Sequence, residues 1–245
     1  AIELNGAKVA ENQRAFQIGR WAMTDPEAVV RATSPVEAIR PDPITYRADF
    51  LVDYQDQAYA QRFRDLVASV PEDLRADVAE GYFKLLAYKD EYEVARLHLK
   101  TAEGVAREFD GDTKLSFHLA PPILPGRDAN GRPKKREFGA WIMPGFRLLA
   151  KMKGLRGTRF DPFGWMAERR AERAAIAEYE ADMRALLPQV TPATVEILRE
   201  LARLPLSVKG YGLVKDKAAE AAATRRAELL AAFADGGTPL QHAAE

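Results

Sequence analysis

The chain has 245 residues, 47% of them hydrophobic, enough for one large domain or a domain with an appendage. It carries 36 Lys and Arg against 36 Asp and Glu, so no net field favours nucleic acid or an anionic membrane. The absence of cysteine excludes disulfides and thiolate-held iron–sulfur clusters. No apolar run approaches the roughly 18 residues that span a bilayer, and no signal-peptide pattern opens the chain, so we expect a cytoplasmic protein.

The first forty residues predict two helices. Apolar residues at helical spacing predict one helix over 2–22. Thr24 or Asp25 can cap a second, short helix with Pro26 in its first turn, where a missing N–H costs nothing. Prolines concentrate over residues 34–43 and predict a linker, so we place the main domain after it.

Helices dominate the main domain, residues 41–245. Apolar spacing predicts one long helix over 44–70 and a second from Pro71 to about His98, bent near Tyr88. Further helices are predicted over residues 144–153, 166–187, 191–204 and 213–233.

One short stretch of the main domain predicts β structure. Residues 115–119 alternate between apolar and polar side chains, which is typical of a strand. Asp128–Gly131 is a turn signal that could join two short strands, and an aromatic connector follows at Phe160–Trp165. The predicted fold class is therefore mainly α, a multi-helix domain with a small β-hairpin or short sheet insertion.

A dense charged patch lies within one predicted helix. Glu93 is four residues from Lys89 and three from Arg96, so these three side chains would share a face. One interpretation is a buried ionic cluster that meets a partner domain, or a carboxylate that acts on a substrate. The alternative is a solvated helix face, worth about 0.3–0.5 kcal/mol per pair. The candidate interaction residues of this patch are Lys89, Asp90, Glu91, Glu93 and Arg96.

His118 is a further candidate, on the predicted strand. Alternation places it on the face opposite Phe117 and Leu119, where it could face a cleft as an acid, a base or a ligand. A zinc site would need more ligands at metal spacing, and none is near. A structural histidine is the alternative, and a weaker hypothesis pairs His118 with Glu93 as acid and base.

Residues 127–159, the basic segment, hold ten cations against two acids, a net charge of +8. Residues 48–112 hold fifteen acids against eight cations, a net charge of −7. The basic segment, with Lys134, Lys135 and Arg136 as candidate interaction residues, could attract phosphates or an acidic protein surface. Alternatively, the two regions compensate each other inside the protein. Aromatic residues interleave with these cations, but zero net charge and the lack of a recognisable fold argue against nucleic-acid binding.

Four blocks of the chain resemble, in order and spacing, the C-terminal region of the beta subunit of indolepyruvate:ferredoxin oxidoreductases. The blocks are Lys89–Arg96, Phe117–Pro122, Phe138–Met143 and Asp161–Phe163. The opening residues 1–6 resemble the last helix of the gamma-type domain before that region, which would assign residues 1–40 to that helix and a linker. Since the chain begins without Met inside a helical pattern, we expect a fragment or a processed piece.

The resemblance implies a place in an enzyme that oxidatively decarboxylates arylpyruvates to aryl-acetyl-CoA and reduces ferredoxin. Such enzymes use thiamine diphosphate, magnesium and iron–sulfur clusters. None of the residues that bind these groups has a counterpart here, so no catalytic, cofactor-binding or metal-binding residue is carried over. We therefore expect an accessory domain that is not catalytic alone.

The partners that the resemblance implies are other domains or subunits of the oxidoreductase, and ferredoxin or coenzyme A. No nucleic acid and no membrane are expected. The alternative function is a stand-alone helical binding module whose basic segment recruits an acidic partner.

Overall fold

The computed structural model describes residues 2–6, 8–33, 41–108, 114–120, 126, 134–210 and 212–237. These described residues are 75% helical and include a two-stranded antiparallel hairpin, so the predicted fold class is confirmed. Two compact units divide the chain, Ala1–Pro43 and Ile44–Glu245. The assignment of residues 1–40 to a preceding catalytic domain stays a prediction.

The described residues of the first unit form helices α1 (Ile2–Asn5), α2 (Val9–Thr24) and α3 (Pro26–Thr33). The single helix predicted over 2–22 is wrong, because Gly6 (φ 68°) and Lys8 (φ 46°) adopt left-handed backbone angles between α1 and α2. The predicted start of the next helix is confirmed. The Ala28 amide donates to Asp25 Oδ1 at 2.9 Å, which caps α3.

From Pro43 onwards, the described part of the chain is a succession of helices interrupted by one hairpin. The helices are α4 (Pro43–Tyr54), α5 (Gln57–Ala68), α6 (Glu72–Leu86), α7 (Glu91–Glu108), α8 (Met143–Lys151), α9 (Ala167–Leu186), α10 (Val195–Arg203) and α11 (Leu213–Ala234). Strands β1 (Ser116–Leu119) and β2 (Arg136–Gly139) lie between α7 and α8 and pair His118 with Glu137. The predicted turn at Asp128–Gly131 lies outside the described residues.

The long helix predicted over 44–70 is wrong, because it breaks at Asp56. That residue has an extended backbone, and its Oδ1 accepts the amide of Tyr59 at 2.8 Å. An aspartate in the N-cap position satisfies an amide that would otherwise lack a partner in the first turn. The chain therefore ends α4 and begins α5 at this point.

The next predicted helix, from Pro71 to His98, is broken in the same way by Asp90. Helix α6 begins directly after Pro71, as predicted, but it ends with Leu86, twelve positions before His98. Oδ1 of Asp90 accepts the amide of Glu93 at 2.9 Å and so caps α7. The charged patch therefore spans a linker and a helix start instead of one continuous helix.

The main core lies among α4, α5, α6, α9, α10 and α11. The ring of Tyr82 stacks between those of Phe63 and Tyr179, with centroid distances of 5.9 and 5.7 Å. Helices α6 and α10 approach closely at Gly81, where an added Cβ would lie 1.9 Å from the carbonyl oxygen of Ala202. A glycine is therefore required for this helix–helix contact.

A smaller apolar cluster attaches the hairpin and α8 to α7. Phe117 of β1 and Phe146 of α8 are 7% and 4% exposed, and their ring centroids are 5.2 Å apart. The His98 ring stacks on Phe146 at 5.1 Å, and burial lowers the pKa of this histidine. The buried side of α8 is thus fixed, and its opposite side is left to solvent.

Candidate functional site

The charged patch predicted on one helix is divided by the break before α7. Asp90 and Glu93 are 2% and 3% exposed, so the interpretation as a solvated helix face does not hold for them. Lys89 is exposed in the linker, so the face predicted for Lys89, Glu93 and Arg96 is wrong for the lysine. Arg96 does pair with Glu93, through two hydrogen bonds of 2.8 Å.

Asp90 is joined to Arg156, a residue 66 positions later in the basic segment. The guanidinium donates from Nε to Oδ2 at 2.5 Å and from Nη2 to Oδ1 at 2.9 Å, in the two-pronged geometry that arginine favours with carboxylates. Both side chains are at most 3% exposed. The same aspartate therefore caps α7 and fixes the segment that follows α8.

Arg156 also completes the end of α4. Its Nη1 donates to the Tyr54 carbonyl at 2.7 Å, and its guanidinium carbon lies 3.7 Å from the centre of the Tyr54 ring. Lys153 Nζ donates to the carbonyls of Val52 and Asp53 at 3.2 and 2.7 Å. The last carbonyls of a helix lack partners within it, so these two cations supply the missing donors.

The ionisation states in this region are fixed by contacts. Burial alone would lower the pKa of Arg156, but its hydrogen bonds to Asp90 and neighbouring charges raise it above the ordinary value. Burial, followed by the charge of Asp90, raises the pKa of Tyr88 to about 12. The arginine therefore stays charged and the tyrosine stays neutral at physiological pH.

Asp161 organises the aromatic connector beside this pair. Its Oδ1 accepts from the Tyr92 hydroxyl and the Phe163 amide, both at 3.0 Å, and its Oδ2 accepts from the Gly157 amide at 2.9 Å. Gly157 has a positive φ of 75°, which suits glycine at this turn. We call Asp90, Tyr92, Arg156 and Asp161 the charged network.

A further group of charges flanks the charged network where α9 begins. Glu91 Oε2 lies 3.5 Å from Arg169 Nε, and Arg169 Nη1 donates to Glu172. Lys215 of α11 donates to the same Glu172 at 2.7 Å. Burial raises the pKa of Glu91, because its ionised carboxylate loses solvation. Charges from three helices thus hold one another in place.

The carboxylates of the charged network are arranged for structure. A general base must reach a substrate proton and accept it, whereas Asp90 is buried and its two oxygens accept from Arg156 and from backbone. Asp161 is 8% exposed and accepts three hydrogen bonds. These side chains hold α4, α7 and the connector together, and each carboxylate accepts three hydrogen bonds from the protein itself.

His118 lies elsewhere, on the exposed side of the hairpin. Phe117 beside it points into the small apolar cluster, so the predicted alternation is observed. Glu93 is buried against Arg96, and no hydrogen bond or ion pair within the described ranges joins it to His118. The geometry therefore does not assemble the acid–base pair.

The basic segment is divided between internal and exposed cations. Arg156 and Lys153 point inward, so internal compensation accounts for part of the segment. Arg127 and Arg132 lie outside the described residues. The cations exposed at the surface include Lys134, Lys135, Arg136, Arg147, Lys151 and Arg159.

Helix α8 presents an exposed stripe of apolar and basic side chains. Phe146 is buried on one side, while positions three, four and seven residues apart on the other side face solvent. Trp141, in the short 3-10 turn that leads into α8, continues this stripe and is 72% exposed. We call this stripe the α8 face; its residues are Trp141, Pro144, Arg147, Leu148 and Lys151.

Three residues of the charged network, Tyr92, Arg156 and Asp161, were not candidates from the sequence. Arg156 contacts a residue 66 positions away, and nothing in its local sequence distinguishes it from the neighbouring cations. Asp161 had a usable signal, since an aspartate before proline between aromatics is typical of a turn that its side chain stabilises. Glu180, buried with Arg62 and Tyr82 in the main core, was also missed.

Over residues 41–228 the chain matches the model of DUF6537, a family of unknown function. The chain belongs to this family. The DUF6537 match includes the whole charged network and the α8 face, and it excludes α1 to α3. No curated protein and no solved structure matches the chain. The relation to indolepyruvate:ferredoxin oxidoreductases therefore stays a hypothesis.

The sequence of this DUF6537 chain lacks the ligands for one cofactor of that oxidoreductase family. Iron–sulfur clusters are held by cysteine thiolates, and the sequence has no cysteine. Across the part of the chain that the structure describes, no three His, Asp or Glu residues gather as metal ligands. None of the described helices is long and apolar enough to cross a membrane.

Proposed function

We propose that this chain is the C-terminal accessory region of an indolepyruvate:ferredoxin oxidoreductase and is not catalytic by itself. The supporting observation is where the matching blocks lie. Lys89–Arg96 and Asp161–Phe163, 65 residues apart in sequence, meet through the hydrogen bond of Tyr92 to Asp161. If these blocks do correspond to the oxidoreductase family, their use in building a scaffold is what an accessory domain requires.

The parent enzyme would supply the redox chemistry on neighbouring protein. Thiamine diphosphate would carry the decarboxylation there, and iron–sulfur clusters would carry the electrons. This chain would contribute contact surface and shape, with the charged network holding that shape. The substrate, an arylpyruvate, is the expectation that comes with the resemblance.

Complementation tests this function. The chain is added to an indolepyruvate:ferredoxin oxidoreductase from which the corresponding region has been deleted, and arylpyruvate oxidation with coenzyme A is measured. We expect restored turnover with the folded chain and none with the chain alone. Turnover by the isolated chain refutes an accessory role, and a folded chain that restores nothing contradicts membership in such an enzyme.

We propose as a second candidate a module that recruits an acidic partner. The observation in its favour is a set of exposed cations on the hairpin and α8. Lys153 and Arg156 are not among them, because they make internal hydrogen bonds. Exposed cations steer association with acidic surfaces, and salt screens that attraction. Titration of ferredoxin at low and high salt tests this candidate, and salt-insensitive binding or no binding rejects it.

A further inference from the structure

We propose that the α8 face is a docking surface for an acidic protein segment that carries apolar side chains between its carboxylates. This inference rests on the recruitment function proposed as the second candidate, and it names the surface and the partner's chemistry. A surface with cations alone would bind any partner that carries negative charge. The α8 face adds large apolar side chains to the cations, which demands a partner of mixed character.

The apolar side chains of the α8 face are exposed and adjacent along one stripe. Trp141 is 72% exposed and Leu148 is 61% exposed. Large apolar side chains at the surface that share one side of a helix are typical of interaction sites. Tryptophan is also among the residue types that contribute most to binding at protein interfaces.

Contacts with the rest of the domain position helix α8 and the Trp141 ring. Phe146 anchors the helix against α7 and β1, and the Trp141 ring lies 5.8 Å from that of Phe138 on β2. Side chains that are already ordered lose less conformational entropy on binding. The helix and its Trp141 side chain are therefore in place before a partner binds.

Charge selects an acidic partner. No Asp or Glu occurs from Phe138 to Phe160, and the α8 face itself carries Arg147 and Lys151. Exposed Lys134 and Lys135 precede β2, whose Phe138 contacts Trp141, so further positive charge lies on the adjoining hairpin. A partner with carboxylates on either side of an apolar side chain would complement this arrangement.

A protein partner fits better than nucleic acid or a lipid surface. Binding to a phosphate backbone rests on many cations, whereas this stripe alternates two cations with two large apolar residues. Helices that lie in a membrane interface bury a continuous apolar face, but α8 has only nine residues and buries its phenylalanine in the protein. Duplex DNA and anionic vesicles are therefore competing probes in the test.

The test measures binding of two synthetic peptides to the full chain by fluorescence anisotropy. One peptide is a labelled amphipathic helix with Glu and Leu on one face, and the other has Ser in place of each Leu. We expect the first to bind, and its Kd to rise several-fold as salt is raised from about 50 to about 300 mM. The second should bind about tenfold more weakly or not at all.

Two double variants separate the apolar and the charged parts of the α8 face. Trp141→Ala with Leu148→Ala should weaken binding of the Leu peptide about tenfold while its salt dependence remains. Arg147→Glu with Lys151→Glu should weaken binding at low salt and remove most of the salt dependence. The control, Lys84→Glu with Lys217→Glu, makes the same change in net charge at exposed positions on α6 and α11 and should bind as the wild type does.

The outcomes distinguish this inference from the function on which it rests. If the apolar double variant binds both peptides as the wild type does, the docking surface is wrong while salt-dependent recruitment survives. Absence of binding to ferredoxin and to both peptides removes both proposals. Equal or tighter binding of duplex DNA or phosphatidylserine vesicles, lost in the charge-reversal variant, identifies a general anion patch and overturns the inference.

Discussion

Arg156 and Arg147 come from the same basic segment, yet the protein uses them in opposite ways. The Arg156 side chain is 3% exposed and makes three hydrogen bonds, two of them to Asp90. Arg147, on α8, is exposed to solvent. The comparison shows that a charge-rich stretch of sequence is not one functional unit, because burial decides whether a cation contributes to folding or stays free for binding.

The difference has an energetic basis. Removing one partner of a buried ion pair leaves the other charge without solvent or counter-charge, which costs about 3–5 kcal/mol. Exposed cations are already solvated, so their loss costs little. Substitutions in the charged network should therefore lower the free energy of unfolding much more than substitutions on the α8 face, although both groups contain residues of the basic segment.

The largest effect is expected from Arg156→Met. It leaves Asp90 buried without its counter-charge and the Tyr54 carbonyl without its donor, so the free energy of unfolding should fall by about 3–5 kcal/mol. Urea denaturation followed by circular dichroism measures it. Arg147→Met is the matched control and should change stability by less than about 0.5 kcal/mol.

A double-mutant cycle with Asp90→Asn shows whether the pair itself is responsible. The double variant should lose less stability than the sum of the two single variants, because no unpaired charge is left buried. Additive losses would mean that Arg156 acts through its packing on Tyr54 and its hydrogen bond to the Tyr54 carbonyl, and that the pairing contributes little.

A smaller loss is expected from Tyr92→Phe. The change removes one of the three donors to the buried Asp161 carboxylate and leaves the two backbone amides in place. A hydrogen bond to a charged group contributes about 1.5–3 kcal/mol. Tyr46→Phe, at a tyrosine that is 57% exposed, serves as the control in the same urea series. Equal effects of the two changes would show that the hydroxyl of Tyr92 adds nothing.

Acid should expose the contribution of another buried carboxylate, Glu180 in the main core. Burial alone would raise its pKa, but the hydrogen bonds from Arg62 and Tyr82 outweigh burial and hold the pKa below the ordinary value. A carboxylate with a depressed folded-state pKa stabilises the protein above its unfolded-state pKa, and that stability is lost as pH falls through the folded-state value. Stability should therefore decline below about pH 4.3, the ordinary glutamate pKa.

Glu180→Gln should flatten this decline when Tm is followed as a function of pH. The variant should have the lower Tm at neutral pH, and the two curves should converge as the pH falls. Tyr82→Phe, which removes one donor to Glu180, should weaken the pH dependence without abolishing it. An unchanged slope in Glu180→Gln would place the acid sensitivity in other carboxylates.

The sequence predicts the class of the fold well, because local patterns carry that information. The alternation around His118 and the proline at the start of α3 were interpreted correctly, as each depends on a few neighbouring residues. Asp56 and Asp90 misled the helix predictions. An aspartate among polar residues suits either an exposed helix position or an N-cap, and only its tertiary surroundings decide between them.

Local sequence patterns could not predict the contacts of the charged network. Asp90 was a candidate from the sequence, but its partner is 66 residues away. That partner lies in a segment with ten cations, and the sequence does not show which of them pairs with Asp90. Apolar periodicity predicts which side of a helix is buried. It does not show that the Arg156 side chain is buried while the Arg147 side chain, on the outer side of α8, is exposed to solvent.

The smallest effect on stability is expected from the charge reversal of the α8 face. Arg147→Glu with Lys151→Glu replaces two exposed cations and should change the free energy of unfolding by less than about 0.5 kcal/mol, since surface positions away from special contacts tolerate substitution. Urea denaturation of this variant beside Arg156→Met completes the comparison. A loss similar to that of Arg156→Met would mean that the outer cations also support the fold, and the separation between scaffold and docking surface would fail. An unchanged midpoint together with weakened peptide binding would place the two uses of the basic segment on different residues.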